Sequence, residues 1–330
     1  MSASTFQNHS LINSFVIGID IGGTNTRIGL VNTLGEIVSD SRIDTPLFFS
    51  ANLFLEALAL EVDFFFKAGH KILGIGIGAP SVNLKSEMIE NAANLNWEGP
   101  LAVTHFLKNR FQVPVAITND ANLMVLAHQY FGKIKYEHFV VVTLGTGVGS
   151  GICCNGMLLN GRDGFAGEVG HLIVEPLGRS CHCGRQGCLE TYSSANGIKR
   201  SIMMLMAQKY GSEDVFKDIK INELDTKVIA ELASKGNQIA IEAFHLAGTM
   251  LGAALANFVV LFNPEIIFLT GGVTNAGSLL FGPTIEAFNQ SLLNVYPEAI
   301  PIEQSVFGES EGAVLGAASL IWNTYDTTNN

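Results

Sequence analysis

Three cysteines lie within eight residues of one another, in the run CHCGRQGC that ends at Cys188. Cys181, Cys183 and Cys188, with His171 ten residues before the first of them, form a Cys₃His set. Such a set closes a tetrahedral Zn²⁺ site and leaves no position for a bound water. We therefore predict a structural rather than a catalytic zinc. His182 is the rival imidazole, although its place between two ligand cysteines limits its reach.

The alternative for these cysteines is that they are simply buried or disulfide-linked. Their setting among Gly, Arg and Gln in an irregular loop favours metal binding instead. The other two cysteines, Cys153 and Cys154, follow the apolar run GI and are predicted to fill core.

Two glycine-rich turns, DIGGTNTR at 20–27 and LGTGVGSG at 144–151, each follow an apolar strand pattern. Glycine and small hydroxyl residues at such a turn let backbone N–H groups converge on an anion, so each turn is a candidate phosphate site. Asp20 could hold a Mg²⁺ ion or its waters, because that ion prefers carboxylate and phosphate oxygens. A plain hairpin with a solvated aspartate is the alternative for the first turn.

Two common nucleotide motifs are excluded. The chain contains no GxxxxGK[ST] run, so it is not a P-loop NTPase. Gly74, Gly76 and Ala79 match G-x-G-x-x-A, but Pro80 follows where a dinucleotide site needs a helix, and the match is therefore treated as accidental.

Three carboxylates could act on a polyhydroxylated substrate. Asp120, in the run NDAN, lies where a strand meets a helix, and there it could accept a proton from a substrate hydroxyl. A helix cap formed by Asn119 or Asp120 is the alternative. Glu168 and Glu190 flank the cysteine loop and could accept hydrogen bonds from sugar hydroxyls, or they could be solvated surface residues.

The elements that must position these residues follow an α/β pattern. Strand, turn and strand open the chain from residue 15, and helices near 52–67, 100–111 and 121–131 alternate with strands 71–78 and 113–119. The same opening recurs after residue 137, and aligning Gly22 with Gly145 places the two glycine turns 123 residues apart. Helices near 192–210 and 239–262, a strand at 265–272 and a last helix follow. We predict two similarly built lobes that face each other across a cleft.

Composition narrows the class of protein. The 330 residues are 48% hydrophobic and only 15% charged, and the net charge of −11 opposes binding to nucleic acid or to an anionic membrane. The run 243–264 lacks acidic and basic residues, but its polar His245, Thr249 and Asn257 predict a buried core helix rather than a membrane span. The polar first fourteen residues lack a signal-peptide pattern, so a cytoplasmic location is expected.

Together these motifs resemble the ROK family (repressors, open reading frames and kinases), the sugar-kinase branch of the actin-like ATPase superfamily. The resemblance runs from DIGGTNTRIGLV through NDAN, LGTGVGSG, GEVGH and CHCGRQGCLE to LTGG at 269–272. It implies a two-lobed, ribonuclease H-like α/β fold. The smaller lobe is expected to contain residues 1–119 and 312–330, and the larger lobe residues 120–311.

The resemblance also implies roles for individual residues. Asp120 becomes the catalytic base, and the zinc ligands are those named above. The residues expected to contact the sugar are Asn94, Asn119, Asp120, Glu168, His171 and Glu190. Those expected to bind ATP, with Mg²⁺, are Asp20, Gly22, Gly23, Thr24, Asn25, Thr26, Arg27, Gly145, Thr146, Gly147, Gly149, Gly271 and Gly272. One departure is Ser81, where the family often has glycine.

The form CxCGxxGCxE looks most like glucokinases, which implies ATP-dependent phosphorylation of glucose. N-acetylglucosamine, N-acetylmannosamine and fructose are alternative substrates, and a homodimer is expected. The same family includes sugar-responsive transcriptional repressors, which carry a helix-turn-helix domain before the first glycine strand. Fourteen residues are too few for that domain, and the acidic charge opposes DNA binding, so the repressor is the disfavoured alternative. A sugar-binding protein without catalysis is disfavoured by Asp20, Asp120 and both glycine turns.

Overall fold

A computed structural model describes residues 13–90, 92, 95–208, 224–296 and 300–327. The chain forms two compact units. The first takes its residues from 1–135, 160–166 and 310–330, and the second from 136–159 and 167–309.

The first unit is built on a five-stranded sheet with the strand order β3-β2-β1-β4-β7. The strands β1 and β2 are antiparallel, and β1, β4 and β7 run parallel. Helices α1, α2, α3 and α9 complete the unit, together with a two-stranded hairpin of β5 and β6. The bounds are β1 Ser14–Ile21, β2 Thr26–Asn32, β3 Ile37–Ile43, α1 Ala51–Lys67, β4 Lys71–Ala79, β5 Val82–Asn83, β6 Met88–Ile89, α2 Val103–Phe111, β7 Val115–Asn119, α3 Asp120–Phe131 and α9 Glu309–Thr327.

A row of glycines lets α9 lie directly on this sheet. Gly29, Gly18 and Gly76 are register partners across three adjacent strands. A Cβ atom on Gly18 or Gly76 would lie under 3 Å from the carbonyl oxygen of Val314 or Ala317 in α9. Gly76, which was one of the residues that matched a dinucleotide motif, therefore allows α9 to pack on the sheet.

The second unit repeats this plan with the order β10-β9-β8-β11-β12. Again the first three strands along the chain, β8, β9 and β10, pair antiparallel, and β11 and β12 then join in parallel. The bounds are β8 Phe139–Leu144, β9 Val148–Cys154, β10 Met157–Leu158, α4 Glu190–Ser193, α5 Ala195–Gln208, α6 Thr226–Ser234, α7 Gln238–Phe262, β11 Ile266–Thr270, α8 Ser278–Ser291 and β12 Ile302–Gln304. The internal repeat seen in the sequence is thus a repeat of sheet topology.

Helix α7 is the central helix of the second unit, as predicted. Its side chains bury one face against the core, and Gly248 and Gly252 let the backbone of α8 approach closely. Asn237 caps its start by accepting a hydrogen bond from Ala240 N–H, and Asn263 ends it in a left-handed conformation before Pro264. It is the one helix among the described residues that is long and apolar enough to cross a membrane, and 56% of its most apolar window is buried in the protein.

The two units differ from the expected division at residue 119, because α3 and residues 160–166 belong to the first unit. The reason for α3 is packing. Leu123 fills the space above Gly78 in β4, and its carbonyl oxygen would lie under 3 Å from a Cβ on Gly316 in α9. One side-chain contact with β4 and one close backbone contact with α9 therefore hold α3 in the first unit.

Acid is expected to destabilise the fold through His128. This α3 side chain is fully buried, and burial lowers the pKa of its imidazole from 6.5 to about 4. The unfolded chain therefore binds a proton that the folded chain does not, and stability is lost as pH falls from about 6.5 toward 4, by up to roughly 3 kcal/mol. Urea unfolding at several pH values should show a shallower loss for His128→Gln, and an unchanged slope in that variant would contradict this assignment.

Candidate functional site

The two glycine turns form matching hairpins between antiparallel strands. In the first, Ile21 pairs with Thr26 and Gly22 N–H donates to the Asn25 carbonyl at 3.0 Å. In the second, Leu144 pairs with Val148 and the turn is one residue shorter. Each turn exposes a threonine at its tip, Thr24 and Thr146.

Side chains of the first hairpin divide into two groups. Asp20 and Arg27 are direct register partners at its base and are both half-buried. Thr26, also predicted to contact phosphate, is buried, and its hydroxyl shares a hydrogen bond of 3.0 Å with the Thr45 hydroxyl. That hydroxyl holds the hairpin to the chain ahead of α1 and leaves the backbone and Thr24 for an anion.

Asp120 opens α3 directly after β7, at the carboxyl end of a parallel strand. One carboxylate oxygen accepts a hydrogen bond of 2.8 Å from Ala121 N–H, and the residue remains open to solvent. Although solvent reaches the residue, the protein atoms around its carboxyl displace part of the water that would stabilise the charge, and this desolvation raises its pKa, while the Ala121 hydrogen bond opposes the rise. A carboxylate with raised pKa is a better proton acceptor than an ordinary aspartate.

Asn119 is nearly buried and joins three segments of the first unit. Its Oδ1 accepts from Val82 N–H at 2.8 Å, and its Nδ2 donates to the Gly164 carbonyl at 2.6 Å. An amide has two donor hydrogens and two acceptor positions, and these two bonds use one of each. Asn94, which was also predicted to contact the sugar, lies outside the described residues.

Ser81, the departure noted above, adopts a left-handed conformation with φ of 53° in the turn between β4 and β5. Glycine takes this conformation freely, whereas a residue with a Cβ is strained by roughly 1 kcal/mol or more. We expect Ser81→Gly to raise the free energy of unfolding by about 1 kcal/mol. Ser81→Ala keeps the Cβ and is the control, and equal stability of the two variants in urea titrations would contradict the prediction.

The cysteine loop brings four metal-binding atoms together. One ligand atom from each of His171, Cys181, Cys183 and Cys188 lies within 4.8 Å of all the others. Cys183 Sγ and Cys188 Sγ are 3.7 Å apart, and His171 Nδ1 is 3.8 Å from Cys181 Sγ. A tetrahedron of thiolates around Zn²⁺ at about 2.3 Å has edges of about 3.8 Å, so these residues fit the ion. None of the five cysteines is joined in a disulfide in this structure.

The rival imidazole, His182, is largely exposed. Its Nδ1 lies 3.2 Å from Glu190 Oε1, and it forms a second possible ligand group with His171 and Glu190. The predicted set contains three thiols and two buried residues, whereas the group that includes His182 contains no thiol and no buried residue. Burial raises the pKa of the Cys188 thiol, and binding of a metal ion there would release its proton.

Glu168 and His171 are positioned by two glycines that lie against β9. A Cβ on Gly167 or Gly170 would lie under 3 Å from the Ser150 or Val148 carbonyl oxygen. The segment forms a short 3₁₀ turn over Val169–His171, in which His171 N–H donates to the Glu168 carbonyl at 3.1 Å. The backbone of the motif GEVGH therefore packs against β9, and its acid, Glu168, and its imidazole, His171, are three residues apart.

Arg179 is a residue that sequence reasoning missed. It is buried, and its guanidinium donates to the Thr191 carbonyl at 2.7 Å, the Gly197 carbonyl at 3.1 Å and the Ser201 hydroxyl at 3.0 Å. It also lies over the Tyr192 ring, 4.4 Å from the centroid. This arginine fastens the start of the cysteine loop to α4 and α5. Its only sequence signal is a charged residue two positions before the first ligand cysteine.

A cavity of about 480 Å³ lies between α6 and the segment that follows β11. Gly271 requires glycine, because its φ is 94° and a Cβ would strike the Leu144 backbone at the end of β8. Gly272 is exposed and lines the cavity. The other lining residues are Thr226, Lys227, Ala230, Glu231, Ser234, Val273, Asn275, Ala276 and Leu279.

Comparison with known proteins decides the family. A profile of the ROK family matches residues 16–324. The chain belongs to the ROK family. It is 34% identical to a glucokinase of Thermotoga maritima over 93% of this chain and 96% of that protein. It is also 29% identical to the DNA-binding transcriptional dual regulator NagC of Escherichia coli, over 94% of this chain and 75% of the regulator.

Among solved structures, a ROK family glucokinase from Streptomyces griseus, in complex with glucose and AMPPNP, superposes with a TM-score of 0.78. It is 31% identical, and the match covers 93% of this chain and 98% of that one. The predicted fold class, an α/β actin-like ATPase fold, is confirmed by this likeness. The chain is a glucokinase-like member of its family.

Proposed function

We propose that this ROK protein is an ATP-dependent sugar kinase that phosphorylates a hexose, glucose at its 6-hydroxyl. The observation that carries the proposal is the extent of the likeness to glucokinases, which spans more than nine-tenths of both chains. The family match over residues 16–324 contains the positions of every motif discussed above. The described residues that support it are a carboxylate at a strand end, two glycine hairpins and a loop of three cysteines flanked by two glutamates.

In the proposed reaction, Asp120 accepts the proton of the sugar hydroxyl as that oxygen attacks the γ-phosphorus. The bond to the leaving ADP oxygen breaks in line, so no phosphoenzyme forms. The hairpin N–H groups stabilise charge on the phosphoryl group, since phosphoryl transfer depends mainly on positioning and electrostatics. A bound Mg²⁺ would neutralise phosphate charge beside Asp20.

Sugar hydroxyls need a hydrogen-bond partner once they leave water, and the proposed partners are Asn119, Glu168, His171 and Glu190. His171 presents Nδ1 to the thiols, which leaves its other ring nitrogen for the sugar. The zinc would be structural and would fix this loop. The cavity beside Gly272 has a volume suited to the adenosine of ATP.

A coupled assay of ADP release tests the substrate. Glucose, fructose, N-acetylglucosamine and N-acetylmannosamine differ by one hydroxyl, one acetamide or ring form, differences that a polar site can discriminate strongly. We expect the highest kcat/KM with glucose. A higher value for another of these sugars would reassign the substrate, and no sugar-dependent ADP release would overturn the kinase.

A regulator is the candidate from another class, favoured by the likeness to NagC, of which the chain spans three quarters. The net charge of −11 counts against DNA binding. An electrophoretic shift of duplex DNA at moderate salt, released by a sugar, would support the regulator and count against the kinase. We propose a cytoplasmic location for the kinase, where its nucleotide is found.

A homodimer is also proposed, and helix α1 supports it. Leu53, Leu60 and Phe64 are each more than 60% exposed at helical spacing on one face, and Leu47 and Phe49 before the helix are equally exposed. An exposed apolar face of this kind is typical of an interface. We expect sedimentation to show a dimer that Leu60→Glu dissociates and the control Leu34→Glu does not. A monomeric wild type would contradict the proposal.

A further inference from the structure

The carboxylate of Glu190 lies between the second glycine hairpin and the cysteine loop. Its Oε2 accepts a hydrogen bond of 3.0 Å from Val148 N–H, at the first residue of β9. Its Oε1 is 3.2 Å from His182 Nδ1, in the cysteine loop. Only 15% of the Glu190 side chain is exposed. Glu190, which is expected to bind a sugar hydroxyl, thus also forms a hydrogen bond to the second glycine hairpin, which is expected to bind phosphate.

Gly147 makes this contact possible. A Cβ on Gly147 would lie well under 3 Å from Glu190 Oε2, a separation that real Cβ atoms essentially never show. Gly147 is not among the glycines with positive φ, so the crowding at this position is steric, and an added Cβ would displace the Glu190 carboxylate. At Gly145 the nearest atom to such a Cβ is Glu309 Oε1 at 3.2 Å, a contact that a flexible side chain can relieve.

A second bond ties the hairpin to the same segment. The Gly145 carbonyl accepts from Ala195 N–H at 2.9 Å, at the start of α5. The hairpin is therefore bound at both ends to residues 190–195, which Arg179 in turn fastens to the cysteine loop. Movement of the Glu190 carboxylate therefore breaks its hydrogen bond with Val148 N–H or its contact with His182 in the cysteine loop.

We propose that Glu190 is a positioning residue that couples occupancy of the sugar site to nucleotide binding at the second hairpin. The inference rests on the proposed function for the identity of the two ligands. A sugar hydroxyl that donates to Oε1 would further restrain the carboxylate in the position where Oε2 already accepts from Val148 N–H, and so would further order the hairpin. Once the first ligand has ordered the hairpin, the second ligand binds without that entropic cost. Each ligand therefore raises the affinity for the other by the same factor.

Calorimetry with glucose and a non-hydrolysable ATP analogue measures this coupling. In the wild type we expect glucose to tighten the analogue at least about fivefold, within the usual range of coupling. Gly147→Ala displaces Glu190 and should weaken glucose binding as well as analogue binding. Gly145→Ala, in the same hairpin, should weaken the analogue while glucose affinity stays within about twofold of the wild type.

A double-mutant cycle isolates the contact. Glu190→Ala removes the atoms that a residue at 147 would strike, so Gly147→Ala should cost little further analogue affinity in that background. Additive effects of the two substitutions, or no coupling in a wild type that phosphorylates glucose, would overturn the inference. A wild type that binds no hexose would overturn the proposed function instead, and the cycle on analogue affinity would still report the contact. Circular dichroism of each variant identifies any loss of fold.

Discussion

Asp120→Asn is expected to lower kcat by 10²- to 10⁴-fold while glucose still binds. The amide keeps the size of the side chain and can still accept the Ala121 N–H bond, but it cannot take the proton of the attacking hydroxyl. Loss of a general base typically costs this factor. Steady-state kinetics give kcat, and calorimetry gives glucose affinity, so the effect on chemistry is separated from that on binding.

The environment of Asp120 adds a pH signature to this prediction. Because desolvation raises the pKa of this carboxyl above 3.8, the acid limb of the kcat profile should lie above the pH at which an ordinary aspartate titrates. Activity is lost as pH falls through that pKa, since a carboxyl that is already protonated cannot take the proton of the sugar hydroxyl. The control Asp63→Asn, whose carboxylate pairs with Lys67 on α1, should keep the wild-type profile. Near-normal kcat in Asp120→Asn would refute the assignment.

Much of the fold could be predicted because it depends on local pattern. Helix α7 appears in the sequence as a long apolar run, and the two hairpins appear as glycine turns between apolar runs. The internal repeat in the sequence predicted that the two sheets have the same topology. The thiol cluster could be predicted because ligand identity and spacing set a zinc site within one loop. These features need little knowledge of distant contacts.

Contacts between distant residues could not be predicted. Thr26 looks like any small hydroxyl residue in a turn, and only the register places its hydroxyl against Thr45. The boundary at residue 119 followed the motifs, whereas the packing of Leu123 on Gly78 holds α3 with the first sheet. Glu190 lies 42 positions from Val148 in sequence, and no spacing rule predicts their bond. The sequence identified the chemical groups, and tertiary packing determined which of them are free to act.

Cys183→Ser is expected to abolish zinc binding and to weaken glucose binding with it. Thiolate is a far better zinc ligand than a serine hydroxyl, and three ligands leave the tetrahedral site open. Structural zinc contributes on the order of 10 kcal/mol to folding in small modules. Loss of one ligand should therefore lower the free energy of unfolding by roughly several kcal/mol. Because Glu168 and Glu190 flank the loop, the KM for glucose should rise about tenfold or more.

The choice of Cys183 makes the outcome interpretable. Its side chain is exposed, whereas Cys188 is fully buried, so serine at 183 leaves no cavity in the core. Any loss of stability then reflects the metal and not packing. Cys154→Ser, outside the cluster, is the matched control and should retain about one zinc per chain. Metal analysis, thermal unfolding and glucose KM should therefore change together in Cys183→Ser alone, and a fresh wild type with well under one zinc per chain would contradict the structural role of the ion.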